Sequence, residues 1–137
     1  MPRELPLAPG KVPNDVLERV VFGRLGVRRP ETILRPGVGL DCAVLGIGQN
    51  AIALTSDPIT AAGVNAGWLA VHIACNDLAA CAAEPIGILA TILLPAGSTE
   101  SRLETICQDL HRAAQSLNIE ILGGHSEITL GIDQPVI

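Results

Sequence analysis

Aromatic side chains are almost missing from this chain. Phe22 and Trp68 are the only two, and there is no tyrosine. A core without rings has to be assembled from Ala, Val, Ile and Leu, in thin layers where small residues let elements approach closely. Lysine is nearly absent as well: Lys11 stands alone beside eight arginines. The formal net charge of −5 removes the basic surplus that a nucleic-acid partner requires. No apolar run is long enough to span a membrane. The N-terminus, MPRELPLAPG, has no apolar stretch of the signal-peptide kind. The four cysteines, Cys42, Cys75, Cys81 and Cys107, form no CxxC pair and no zinc-type spacing. Their expected state is reduced and buried, in a cytoplasmic protein.

Several chemical signatures are absent too. There is no GxxxxGK[ST] phosphate loop and no GxGxxG after a strand. Only His72, His111 and His125 are available as bases, and none falls into a Ser–His–Asp or Cys–His order. What is present is ample apolar material: 48% hydrophobic residues against 17% charged, over 137 residues. That composition predicts one folded domain with a real core rather than a disordered chain.

The most informative stretch is Asn65–Pro85, NAGWLAVHIACNDLAACAAEP. It reads as a helix from Ala66 or Gly67 that stops before Glu84-Pro85, because a residue preceding proline is pushed out of the helical region. Nearly every position from Trp68 to Ala83 is apolar or small, which predicts burial on most sides. His72, Asn76 and Asp77 are its only clearly polar residues. A buried carboxylate is costly unless it is paired, hydrogen-bonded or on a metal. Asp77 either satisfies nearby backbone groups or helps hold a cation at a sheet edge.

Taken in order, residues 1–12 are proline-rich and expected to be mobile. Pro13–Leu25 follows helical spacing through Val16, Leu17, Val20, Val21 and Leu25, and Gly26 ends it. Arg28–Leu40 reads as a loop. Asp41–Ile47 and Ala51–Ser56 read as two strands of a hairpin around Gly48-Gln49-Asn50. The pairing brings Asp41 and Asp57 to neighbouring strand ends. Two such acids repel each other unless a cation or protons intervene, although each taken singly is as well explained as a turn or capping acid. Pro85–Pro95 is an apolar strand that needs cover on both faces. Ser98–Leu117 is an amphipathic helix with Leu103, Ile106, Cys107, Leu110 and Ala114 on its inner face. Ile119–Leu122 is a short strand, followed by Gly123-Gly124-His125-Ser126-Glu127. Gly-Gly at a strand end lets backbone amides approach a ligand, or simply marks a bulge. Pro135–Ile137 looks like the start of one more strand. Hard oxygen ligands such as Asp41, Asp57 and Asp77 suit Mg²⁺ carrying a phosphate ligand.

The order DCAVL, TSDPIT, NAGWLAVHIACNDLAACAAEP, ILATILLP and ILGGHSE resembles the N-terminal domain of the aminoimidazole ribonucleotide (AIR) synthetase superfamily. It is most similar to the branch holding AIR-synthase-related and hydrogenase-maturation proteins. The resemblance implies an α+β fold: a four-stranded sheet with helices on one face, forming half of a dimeric β-barrel. Residues 13–137 would be the ATP-binding and dimerising domain, and the family's C-terminal domain would be absent. The implied activity is ATP-dependent phosphoryl transfer to an oxygen or similar acceptor. The alternative is a non-catalytic nucleotide-binding or dimerisation module. The resemblance also implies ATP and Mg²⁺ as cofactors. It gives Asp41, Asp57 and Asp77 as metal ligands, and Lys11, Asn76, Gly123 and Gly124 as nucleotide contacts. It leaves the catalytic residues and the acceptor unassigned. Leu40 stands where the family often has a further acid, and His125 where many members have Asp. The implied partners are a second copy through the sheet, or a separate chain supplying the second domain, with no nucleic acid and no membrane.

Overall fold

The computed structural model describes residues 6–60 and 62–137. The N-terminal segment expected to be mobile therefore falls partly outside the described residues. Instead of a single body, the chain divides into two compact units, with the boundary between Ala53 and Leu54.

The first unit opens with a helical stretch whose pitch changes twice. It runs through α1 (Asn14–Val16), a wider π-type turn (Leu17–Val21) and a tighter 3₁₀ turn (Phe22–Arg24). One regular helix is the expectation from spacing. Val16, Val20, Val21 and Gly23 are all poor helix formers, and their summed preference weakens a regular ladder. The Arg24 guanidinium donates to the Val20 carbonyl at 2.8 Å and satisfies one of the terminal acceptors. Three strands follow: β1 (Thr32–Leu34), β2 (Ala43–Ile47) and β3 (Asn50–Leu54), in the order β1-β2-β3. The β2–β3 hairpin turns at Gly48-Gln49, where Gly48 has φ +61°. β1 lies inside the stretch expected to be a loop. It is three residues long, pairs irregularly with β2, and is too short for an alternation signal.

The second unit contains α2 (Ala66–Ala80), β4 (Gly87–Pro95), α3 (Glu100–Ser116) and β5 (Glu120–Thr129). β4 and β5 are parallel, and α3 is the crossover that parallel neighbours require. The register runs from Gly87↔Glu120 to Pro95↔Thr129, with a slip after Ile88 that leaves Leu122 as the extra residue of a bulge. On the other side of β4, Val136 bridges antiparallel to Leu93, with N–H···O distances of 2.8 and 3.0 Å. Ile137 in turn exchanges two backbone hydrogen bonds with Ile59, at 2.8 and 3.2 Å.

The fold is mixed helix and strand, but the four-stranded sheet is a correction. Among the described residues the named strands form a three-stranded antiparallel sheet and a two-stranded parallel one. The segments around Ile59 and Val136 make only isolated bridges, too short to count as strands. β5 is also longer than expected and runs straight through Gly123-Gly124, so the glycines lie inside a strand and not at its end.

The core of this unit collects Ala70 and Val71 from α2, Ile92 and Leu94 from β4, and Ile106, Leu110 and Ala113 from α3. Alternation along β4 points Ile92 and Leu94 at the helices and leaves Leu89, 73% exposed, on the opposite face. Cover on both faces, expected from the apolar sequence of β4, is thus not realised within one chain. α2 likewise buries only Ala66, Gly67, Ala70 and Val71, not most of its circumference. Thr99 caps α3 by accepting from the Arg102 N–H at 3.3 Å. Ile106, Leu110 and Ala114 face inward as expected, whereas Cys107 is exposed and Asp109 is buried instead. Cys75 and Cys107 are free thiols.

α2 and α3 touch where Gly67 has no side chain. A Cβ there would lie 2.5 Å from the Ile106 carbonyl oxygen and 2.9 Å from the Leu110 nitrogen, both rigid backbone atoms. Gly67→Ala should therefore destabilise the protein by about 1–3 kcal/mol, the usual cost of overpacking. Gly23→Ala, with nothing within 4 Å of its added Cβ, should change stability by no more than about 1 kcal/mol, and in the stabilising direction. Urea unfolding of both variants checks this; equal midpoints would mean that the helices separate freely.

Candidate functional site

Within the second unit, one cleft of about 350 Å³ is walled by α2, by β4 and by the segment Thr55–Pro58. The α2 wall is made of Ala70 and Ala74, which lie one turn apart on a single helix face. Small side chains at both positions keep that wall low. Continuing along the same face by three residues reaches Asp77. The Thr55 hydroxyl donates to Asp77 Oδ2 at 3.0 Å, across a sequence separation of 22 residues. Thr55 stands two residues before Asp57, and Thr55, Ser56 and Asp57 all line the cleft. The structure thus ties the half-buried Asp77 to the strand exit that carries Asp57.

The polar lining of the cleft is the Asp57 carboxylate with the hydroxyls of Thr55, Ser56 and Thr91 of β4, and Asp77 is tied to it through Thr55. These are hard oxygen donors, the chemistry that suits Mg²⁺ or Ca²⁺ rather than zinc or copper. Among the described residues no three His, Cys, Asp or Glu side chains come close enough together to hold a metal by themselves. Any ion bound here would complete its shell with ligand oxygens and water, which is the habit of Mg²⁺. Thr55, Ser56 and Thr91 were not singled out from sequence. The signal for Thr55 was its i, i+2 relation to Asp57 in an extended segment.

The other expected residues fall elsewhere. Asn76 is exposed on α2 beside Asp77. Asp41 is exposed two residues before β2, and Lys11 is exposed ahead of α1, both in the first unit. Gly123 and Gly124 follow the Leu122 bulge in β5 and border a second, smaller cleft with His125 and Ser126. Gly124 has φ +149°, and a Cβ on it would collide with the Ala90 carbonyl of β4. Close approach of the two strands therefore accounts for this glycine. Gly123 has φ +146°, and a Cβ on it would make an ordinary contact with Leu89 Cδ2 at 3.8 Å.

Beyond the glycines, alternate residues of β5 form a polar line. Glu127 receives a hydrogen bond from the Thr129 hydroxyl at 2.7 Å and meets His125 Nε2 at 2.9 Å. His125, then Thr129, hold the Glu127 carboxyl below the usual carboxylate range. On α2, the His72 ring lies against Trp68 with centroids 4.4 Å apart, and its buried Nε2 has no hydrogen-bond partner among the described residues. Burial pushes the Cys75 thiol up, away from thiolate chemistry.

Known proteins match this chain in sequence and in shape. A hydrogenase expression/formation protein of Methanocaldococcus jannaschii is 29% identical over 139 residues, covering 95% of this chain and 40% of that protein. A thiamine-monophosphate kinase of Archaeoglobus fulgidus is 29% identical over 110 residues, covering 72% of this chain and 36% of the kinase. The solved structure of AaThiL complexed with AMPPCP and TMP superposes with a TM-score of 0.68 at 18% identity, covering 94% of this chain and 42% of that one. The chain thus spans about two fifths of the length of these relatives. No helix among the described residues is long and apolar enough to cross a membrane. The family AIR synthase related protein, N-terminal domain, matches residues 39–137. The chain belongs to that family.

Proposed function

We propose that this chain is the Mg²⁺–ATP-binding and dimerising half of a cytoplasmic, ATP-dependent enzyme. That enzyme would activate an oxygen or similar acceptor by phosphoryl transfer, as in hydrogenase maturation. The observation that carries the reading is the Thr55–Asp77 hydrogen bond beside Asp57 at the polar end of the cleft. It holds a carboxylate in a fixed orientation, ready for a hard cation. In this reading Asp57 and Asp77 hold Mg²⁺ from the second unit. Asp41, Lys11, Asn76, Gly123 and Gly124 are assigned by family resemblance to the metal, the phosphates and the nucleotide. Mg²⁺ would supply charge neutralisation on the phosphates, which a chain with a single lysine lacks. Support comes from relatives that include a kinase and from a nucleotide-analogue complex of the same fold.

A second reading, a non-catalytic nucleotide-binding or dimerisation module, is favoured by one fact. The chain matches only about two fifths of its relatives. Phosphoryl transfer needs the acceptor held in line with the γ-phosphate and water kept out. By family resemblance, the surface that holds the acceptor belongs to the second domain. A partner chain carrying the family's second domain would supply it.

Four outcomes test these readings. Asp77→Ala should fold and should lose the thermal shift produced by ATP with Mg²⁺. Thr55→Val, which removes the hydroxyl but no charge, should keep a smaller shift and lose about 1 kcal/mol of stability. An undiminished ligand shift in folded Asp77→Ala rules out the metal role. Purified 1–137 should bind Mg²⁺–ATP, raising its melting temperature with ATP concentration, yet not hydrolyse it at the roughly 1–10³ per second of typical enzymes. Steady turnover at such rates would place the whole active site within these residues. Finally, the open face of β4, with Leu89 exposed, should seat a second copy by two-fold pairing. Sedimentation at micromolar concentration should show a dimer; a monodisperse monomer rejects the interface.

A further inference from the structure

The end of α2 remote from Asp77 borders a different cleft, of about 360 Å³. Its walls are the segment Gly63–Ala66 at the start of α2 and one stripe of α3 that includes Arg102, Thr105, Asp109 and Arg112. Asn65 and Asp77 are 12 positions apart, about 18 Å along the α2 axis at a rise of about 1.5 Å per residue. Neither Asp57 nor Asp77 lines this cavity.

Its charge is unusual for an acidic chain. Asp109 is the one carboxylate in the cleft and is only 5% exposed. The Arg112 guanidinium meets Asp109 Oδ1 at 2.5 Å and neutralises it. Arg102 is held by a neutral acceptor instead, the Gln134 side-chain oxygen at 3.2 Å. Its positive charge is fixed in place and has no acidic partner in the cleft wall. The two guanidinium groups come from positions ten residues apart on one helix, about 15 Å along its axis. Both side chains are long enough to reach a ligand lying between them. The α2 wall adds to the same sign: Asn65, a residue type that normally caps a helix, sits at φ +58° and makes no side-chain cap bond. The positive end of the α2 dipole therefore faces the cleft without a side-chain cap.

We propose that this arginine-lined cleft is a binding site for a small oxyanion, a phosphate group foremost, separate from the ATP cleft. Arg102 makes the principal contact and the first turn of α2 faces the anion. Arg112 contributes a guanidinium N–H not used by Asp109, since the fork carries five donors. Phosphate suits the site better than a larger polyanion, because one uncompensated guanidinium and one helix start supply little more than a single positive charge.

Inorganic phosphate and glycerol 3-phosphate are the probes, added at constant ionic strength to labelled 1–137 and followed by amide chemical shifts. Saturable shifts at Ala66, Gly67 and Arg102 are expected, with Thr55 and Asp57 unmoved. Arg102→Gln, which keeps a polar partner for Gln134 and leaves the Asp109–Arg112 pair intact, should weaken binding roughly tenfold, the worth of one charged hydrogen bond. Asp77→Ala should leave phosphate binding at Ala66 and Gly67 unchanged, whether or not the ATP cleft proves correct. Tighter binding of the ester identifies a phosphorylated metabolite as the ligand; equal binding identifies free phosphate. No saturable shift with either probe, or equal affinity in folded Arg102→Gln, overturns the proposal.

Discussion

The contact on which the second unit depends is backbone against backbone. α2 meets α3 at Gly67, where no Cβ fits between the helix and the Ile106 carbonyl. That approach brings Ala70 and Val71 down onto β4, and it fixes how far the rest of α2 stands from the sheet. The position of Asp77 follows from it, since Asp77 lies on the face begun by Ala70 and Ala74. A chain with almost no aromatic residues has to pack in this way. Thin side chains give up buried area per residue and recover it through closer contact among more neighbours. The same thinness leaves a cleft beside Ala70 and Ala74 where larger side chains would have filled the space.

Much of this is legible in the sequence. The end of α2 before Glu84-Pro85 and the caps of α3 are local signals, carried by proline geometry and the Thr99 hydroxyl. The β2–β3 hairpin likewise follows from turn chemistry at Gly48. What failed to show was tertiary. β1 is three residues long, and no alternation can be read from Thr32-Ile33-Leu34. β5 continues through Gly123-Gly124 because β4 approaches so closely that Ala90 excludes a Cβ from position 124. A glycine pair in sequence looks the same whether it ends a strand or lets another one in. The inner face of α3 departs from its helical-spacing expectation at Cys107 and Asp109, because a buried carboxylate is unexpected until its partner, Arg112, lies beside it.

The candidate site divides along the same line. Asp57 stands out as an acid at a strand end and Asp77 as a carboxylate in an apolar helix, and both signals are local. Thr55, which orients Asp77, does not stand out, because a hydrogen bond between residues 22 positions apart leaves no trace in spacing. The open face of β4 was visible only as a contradiction: a strand apolar on both sides, in a chain that covers one of them. An apolar face of this kind is usually an interface, since a soluble monomer rarely leaves a large apolar patch open to water.

The backbone pairing of Ile59 with Ile137 has a consequence for how the chain is made. The two residues exchange hydrogen bonds at 2.8 and 3.2 Å across nearly the full length of the second unit. Residue 59 leaves the ribosome long before residue 137, at roughly 5–20 residues per second during synthesis. For those seconds α2, β4, α3 and β5 can form their local contacts, but the segment that follows Asp57 has no strand to rest against. Contacts of such high separation also slow refolding, because loop closure must precede any gain from them. The cleft wall bearing Thr55 and Asp57 is therefore among the later parts of this unit to become fixed, and a nascent chain would carry an unfinished site until Ile137 arrives.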